Sequence, residues 1–275
     1  MIRAKHFATH LLFFATMVMA MSETILPAST EQAPAEAFSY VEYDRLVAKY
    51  VDGRGRVNYA GLKKELAALQ AFLDQLAAVS PESKPELFAN DDESKRYYLT
   101  AYNAYVLFYA AKAYPDKNAL WAKLGWFKNK EIVLGGRQLT LNDLEHNIIR
   151  KRFLDPRIHF YLNCGAVSCP PLKARAIAEN ATESELEDGA RAFINDPANV
   201  RFEAKTRTLY LSKIFDWYEG DFLNYLRAKR GLASPQIADY IKLYLVGEAA
   251  QLLARVPADQ LRVKHLDYDK NLNEQ

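Results

Sequence analysis

Cys164 and Cys169 are the only cysteines of the chain, and His159 lies five residues before the first of them. All three belong to residues 155–171, DPRIHFYLNCGAVSCPP. A cysteine thiolate is a strong nucleophile, and an imidazole nearby can take its proton. The same two cysteines can also form a disulfide. The central question is which chemistry this segment supports.

Residues 158–163 alternate between apolar and polar types, which predicts a β-strand that ends at a turn of small residues. An extended strand of five residues spans about 16 Å and points His159 and Cys164 to opposite faces. His146, on a predicted neighbouring helix, is therefore a second candidate base. The base could be oriented by Asn103, Asn163, Glu145 or Asp269. Asn103 lies in a long apolar helix, where a buried amide can also anchor a loop.

An intramolecular disulfide is the alternative for Cys164 and Cys169. Its loop is short, so the loop-entropy model gives only about 2 kcal/mol of stabilisation. Both histidines and both cysteines together would suit zinc. However, the two cysteines are spaced more widely than in a two-residue zinc knuckle, and the histidines lie upstream. We therefore predict neither a metal nor a cofactor.

Three charged residues are candidate ligand-binding groups. Arg150 and Arg157 could clamp a carboxylate or another anion, or they could form structural ion pairs with Asp155, Glu145 or Asp221. Asp269 lies in a polar C-terminal segment, which could place it beside the long apolar helix.

Residues 1–20 carry Arg3 and Lys5, then an apolar stretch shorter than a membrane span, then small residues near Ala20. This pattern predicts a signal peptide and hence a periplasmic or secreted protein without a stable membrane span after cleavage. Residues 21–37 are predicted to be a disordered leader. The signal contains no acid, so its removal lowers the net charge from +2 to zero, and nothing in the charge favours nucleic acid.

The remaining residues, 38–275, are enough for one large domain. Helical patterns cover residues 38–50, 62–79, 95–114, 141–153, 183–195 and 214–253. Hairpins are predicted at residues 131–140 and 200–211, and a last strand at residues 261–268. Helices outnumber strands, so the fold class is α+β: a mainly helical single domain with a small, largely antiparallel sheet.

The chain resembles the domain of unknown function 547 family. The segments that carry the resemblance are KYVD at 49–52, RVNY at 56–59, AYNAY at 101–105, LEH at 144–146, residues 155–171, WYEGDF at 217–222 and YDKNLN at 268–273. Lys270 stands where the family usually carries tryptophan. The resemblance implies a domain without an assigned activity. Related plant domains joined to glutaredoxin-like segments are a hint toward thiol chemistry.

Two hypotheses about function arise from these residues. The first is a thiol-dependent enzyme, performing acyl transfer, hydrolysis or thiol–disulfide chemistry, that uses Cys164 or Cys169 with His159 or His146. The second is a non-catalytic envelope binding or assembly module, in which a Cys164–Cys169 disulfide rigidifies a pocket for a peptide or small-molecule ligand.

Overall fold

The computed structural model describes residues 37–116 and 130–275. These residues belong to one compact unit, residues 36–275. The predicted signal peptide lies outside the described residues, as does the predicted leader except for Ala37. Within the described ranges, no helix has both the length and the apolar character that a membrane crossing requires.

The first half of the unit is built on a long buried helix. Helices α1 (Val41–Tyr50), α2 (Tyr59–Lys63) and α3 (Leu66–Ala78) precede α4 (Asp91–Ala113). Asn90 caps α4 by accepting the backbone N–H of Glu93, and three acids in its first turn favour the positive end of the helix dipole. The continuous helix predicted over residues 62–79 is interrupted, so that it forms α2 and α3.

A hairpin and an irregular helix follow α4. Strands β1 (Glu131–Leu134) and β2 (Arg137–Thr140) pair in antiparallel fashion, as predicted. The side chain of Thr140 then caps helix α5, residues 141–153. This helix is π-helical over Leu144–Ile149, and such distortions are frequent at functional sites.

The second half contains helix α6 (Thr182–Asn195), strands β3 (Val200–Glu203) and β4 (Thr208–Leu211), and four more helices before a last strand. These are α7 (Lys213–Trp217), α8 (Glu219–Arg230), α9 (Ile237–Tyr244), α10 (Gly247–Ala254) and β5 (Arg262–His265). β3 pairs with β4 in antiparallel fashion, whereas β5 pairs with β4 in parallel. Among the described residues the strands form two small sheets, so the predicted mainly helical α+β class is confirmed.

The predicted strand over residues 158–163 is wrong. Pro156–Phe160 is a 3₁₀ helix, whose first turn is capped by Asp155 accepting the backbone N–H of Arg157. An aspartate followed by proline is a signal for the start of a helix. The apparent alternation was misleading because the polar members, including His159 and Asn163, are buried as well.

This 3₁₀ helix lies between the two hydrophobic clusters of the unit. Ile158 belongs to the cluster around α1, α3 and α4, whereas Phe160 belongs to the cluster around α6, β4 and α8. The chain after it is held by Asn103 of α4. The Asn103 amide donates to Tyr161 O at 3.2 Å, and its carbonyl accepts from Asn163 N–H at 2.9 Å.

We expect Asn103→Ala to destabilise the protein by about 2–5 kcal/mol, because two buried backbone groups lose their partner. Urea unfolding measures this change. Asn147→Ala is the matched control, since Asn147 is an exposed asparagine of α5 and its loss should cost less than about 0.5 kcal/mol. Equal stabilities of the two variants would contradict the anchoring role of Asn103.

Candidate functional site

Cys164 and Cys169 form a disulfide, with their Cα atoms 6.3 Å apart. Cys169 is buried, with 8% of its surface exposed, while Cys164 is partly exposed. We call residues 164–169 the cysteine loop. After Cys164 it continues with Gly165, whose φ of 86° lies in the left-handed region that glycine adopts readily.

The Cys169 sulfur receives two hydrogen bonds. The backbone N–H of Cys164 donates to it at 3.0 Å, and the Tyr268 hydroxyl lies 3.1 Å away. Because a disulfide sulfur carries no proton, Tyr268 is the donor. Burial, and then the charge of Glu145, raises the pKa of Tyr268, so that its hydroxyl keeps the proton that it donates.

The C-terminal segment, residues 268–273, fixes the cysteine loop from outside. Val167 N–H donates to Asn271 O, Ser168 N–H donates to Asp269 O, and Asn273 N–H donates to Gly165 O. Asp269 is exposed, and its own N–H donates to the Ser168 side chain at 2.9 Å. Asp269 therefore borders the cysteine loop, and its role in ligand binding stays a prediction.

The disulfide lines a small cavity of about 60 Å³. Its other walls include the side chains of Glu145, His159, Tyr218 and Tyr268, with Trp217 also lining it. Trp217 is 51% exposed and packs against the Tyr268 ring at a centroid distance of 4.7 Å. The structure thus brings His159 and both sulfurs to one cavity, whereas His146 does not line it.

His159 is buried and held in a fixed orientation. Its Nε2 lies 2.8 Å from Asp221 Oδ2, and its ring stacks on Tyr218 at 3.9 Å. Burial lowers the pKa of His159, although the hydrogen bond to Asp221 opposes this effect. A neutral ring that donates from Nε2 keeps Nδ1 unprotonated, and this nitrogen is the atom that can accept a proton.

The Asp221 carboxylate also accepts two hydrogen bonds from the Arg150 guanidinium group. The Nε and Nη2 atoms of Arg150 lie 2.7 and 2.9 Å from the two carboxylate oxygens. Burial would raise the pKa of Asp221, but the hydrogen bonds from His159 and Arg150 outweigh it and lower the pKa well below its usual range. Arg150 further donates to His146 Nδ1 at 2.7 Å, so that His146 is joined to this ion pair.

Glu145 is a candidate that the sequence indicated as an ion-pair partner or as a group that orients a base. It lies in the π-helical turn of α5 and is 7% exposed. Its carboxyl oxygens accept from Tyr218 at 2.5 Å and from Tyr102 at 3.1 Å. Nothing in the sequence singles it out among the many charged residues of α5, and the π turn that contains it has no sequence signature.

Arg157 lies in a separate ion-pair network. It donates to both oxygens of Asp155, and its Nη2 lies 2.6 Å from Glu183. Lys95 of α4 joins Glu183 at 2.8 Å. Burial would raise the pKa of Asp155, but the hydrogen bonds from Arg157 lower it. Arg157 is thus paired with acidic residues of this chain. The side chain of Asn103 hydrogen-bonds to backbone groups and not to a base.

The described residues contain no group of three or more His, Cys, Asp or Glu side chains arranged to hold a metal ion. The four side chains considered for zinc are instead divided between a disulfide and the bonds of His159 and His146 to Asp221 and Arg150.

The fold and site define a mainly helical α+β protein with a disulfide beside a buried histidine. The family model described as "Protein of unknown function, DUF547" matches residues 87–194, and this part of the chain belongs to that family. The match contains Glu145, His159 and both cysteines, whereas Tyr218, Asp221 and Tyr268 lie beyond it. No curated protein and no solved structure matches the chain.

The lowered pKa of His159 predicts a pH-dependent stability. The ordinary pKa of histidine is 6.5, so below that pH His159 binds a proton in the unfolded chain but stays neutral in the folded chain. The free energy of unfolding should therefore decrease between about pH 6.5 and 5, by at most about 1.4 kcal/mol per pH unit. Chemical denaturation across this range measures it.

His159→Gln should flatten the decrease between pH 6.5 and 5, whatever its effect on absolute stability. His265→Gln is the matched control, because His265 is exposed on β5 and its replacement should leave the slope unchanged. A slope that survives in His159→Gln would show that another group is responsible.

Proposed function

We propose that this protein carries out thiol–disulfide exchange, with Cys164 as the sulfur that is attacked and Cys169 as the leaving thiolate. The observation that carries the proposal is the pair of hydrogen bonds to the Cys169 sulfur, from Cys164 N–H at 3.0 Å and from Tyr268 at 3.1 Å. Donors that point at one sulfur of a disulfide stabilise the negative charge that forms there when the bond breaks.

The exchange begins with a substrate thiol that loses its proton to the His159 ring. The substrate thiolate attacks the partly exposed Cys164 sulfur, the Cys164–Cys169 bond breaks, and Cys169 leaves as a thiolate. His159 returns its proton to the Cys169 thiolate. A second substrate thiol then attacks the substrate sulfur of the mixed disulfide, and its proton passes to the Cys164 thiolate that is released. The substrate thiols are oxidised to a disulfide, and the two cysteines are reduced.

Two features support Cys164 as the sulfur that meets the substrate. It is the more exposed of the two cysteines, and exchange requires access to the attacked sulfur. Trp217 lies at the same cavity and is half exposed, so it offers an apolar surface to an incoming peptide.

The disulfide state leaves neither sulfur free as a nucleophile, so acyl transfer or hydrolysis would first require reduction.

A purely structural disulfide is the second candidate function, as part of a non-catalytic binding or assembly module. It is favoured by the three backbone hydrogen bonds that join the cysteine loop to the C-terminal segment. In that case the disulfide would rigidify the cavity wall for a ligand and would not exchange.

The two functions differ in how the cysteine variants react. We expect Cys169→Ser to form a mixed disulfide through Cys164 with oxidised glutathione. Cys164→Ser should react at least about tenfold more slowly, because Cys169 is buried. Intact mass over time measures both rates. Slow reaction of both variants, together with a wild-type disulfide that persists in reduced glutathione, would establish the structural role.

Tyr268→Phe tests the leaving-group argument. Losing one hydrogen bond to a charged group costs about 1.5–3 kcal/mol, so reduction of the disulfide by glutathione should slow about tenfold or more. Tyr210→Phe is the control, because its hydroxyl bonds to Glu203 on the surface of the β3–β4 hairpin. An unchanged rate in Tyr268→Phe would remove the assigned role of this hydroxyl.

We also propose that the chain is exported to the periplasm or secreted. The proposal rests on the signal pattern of residues 1–20, and the disulfide is a cross-link typical of oxidising compartments. We predict that the protein recovered from the cell envelope or medium begins near residue 21 and contains no free thiol. N-terminal sequencing and alkylation without reductant measure both. A full-length, fully alkylated chain in the cytoplasm would contradict export.

A further inference from the structure

A second and larger cavity lies on the other side of the Arg150–Asp221 ion pair. Its volume is about 290 Å³, and its walls come from the end of α5, the 3₁₀ helix and α8. For comparison, an apolar protein cavity of about 150 Å³ is large enough to bind benzene. Neither cysteine lines this cavity, so ligand binding there does not require the proposed thiol–disulfide exchange.

One face of α8 is directed to this cavity rather than to the core. Phe222 and Leu226, four residues apart, are fully buried in the hydrophobic cluster. The cavity is lined by residues that follow the helical repeat on another face, namely Asp221, Asn224, Tyr225, Ala228 and Lys229. The small side chain of Ala228 keeps this face open.

One cation of the cavity wall has no ion-pair partner among the described residues. Asp155 is paired with Arg157 and Lys95, which also bind Glu183, and Asp221 is held by Arg150 and by His159. Lys229 lines the cavity and makes no ion pair with any residue in the described ranges. Lys229 is therefore the cation of the cavity wall that can pair with a ligand.

Leu154 forms the apolar rim of the cavity, and both its backbone conformation and its exposure are unusual for leucine. It ends α5 with a φ of 49°, in the left-handed region where helices usually place glycine, and it is 72% exposed. Neither the backbone conformation nor the exposure is favourable for a leucine in water. The exposure is explained if an apolar ligand covers this side chain.

We propose that this cavity binds a small carboxylate with an apolar body, such as a medium-chain fatty acid. The carboxylate pairs with Lys229, and the hydrocarbon packs against Leu154, Ile158 and Tyr225. Repulsion by Asp155 and Asp221 is weakened, because each is paired with at least one cation of this chain.

Isothermal titration of the purified protein with octanoate tests the proposal, with octanol and octylamine as probes of the head group. Saturable binding of one octanoate is expected, at least about tenfold tighter than octanol, and octylamine should bind more weakly than either. Absence of saturable octanoate binding would overturn the proposal, as would octanol binding equal to that of octanoate.

Lys229→Gln should weaken octanoate about tenfold or more and leave octanol unchanged. Arg230→Gln is the matched control, since it removes an exposed cation of the same helix that does not line the cavity. Ala228→Phe should fill the cavity and abolish binding of both probes. Octanoate affinity unchanged in Lys229→Gln would overturn the proposal even if Ala228→Phe failed to fold.

Discussion

The carboxylate of Asp221 is the group on which both cavities depend. Asp221 lies in α8. Its carboxylate accepts hydrogen bonds from two nitrogens of Arg150 in α5 and from Nε2 of His159 in the 3₁₀ helix. A partly buried charge is costly unless it is paired, so these three elements are fixed relative to one another. The disulfide cavity borders this network at His159, and the larger cavity borders it at Arg150.

The second constraint is the closure of the cysteine loop by the C-terminal segment. Backbone hydrogen bonds from Val167 and Ser168 place Tyr268 against the Cys169 sulfur, although about a hundred residues separate them along the chain. A donor held by backbone bonds needs little reorganisation when charge develops on its acceptor. The same rigidity would serve a structural disulfide, which is why reactivity rather than geometry distinguishes the two functions.

Local patterns predicted most of the elements. The hairpin at residues 131–140, with its central glycine pair, and the long helix that ends before Pro115 follow from turn chemistry and helix breaking. The strand assigned to residues 158–163 was wrong because alternation indicates a strand only when one face is solvated. Here Pro156 starts a helical turn between two hydrophobic clusters, and both faces are buried.

The sequence by itself determined that Cys164, Cys169 and His159 lie within a few residues of one another, and that the domain is mainly helical. Only the tertiary structure decided that His159 rather than His146 lines the cavity of the disulfide, and that Glu145 and Tyr268 join it. The physical reason is that periodicity and turn residues are local properties. The partners of a buried polar group come instead from whichever distant elements the core brings together, here α8 and the C-terminal segment.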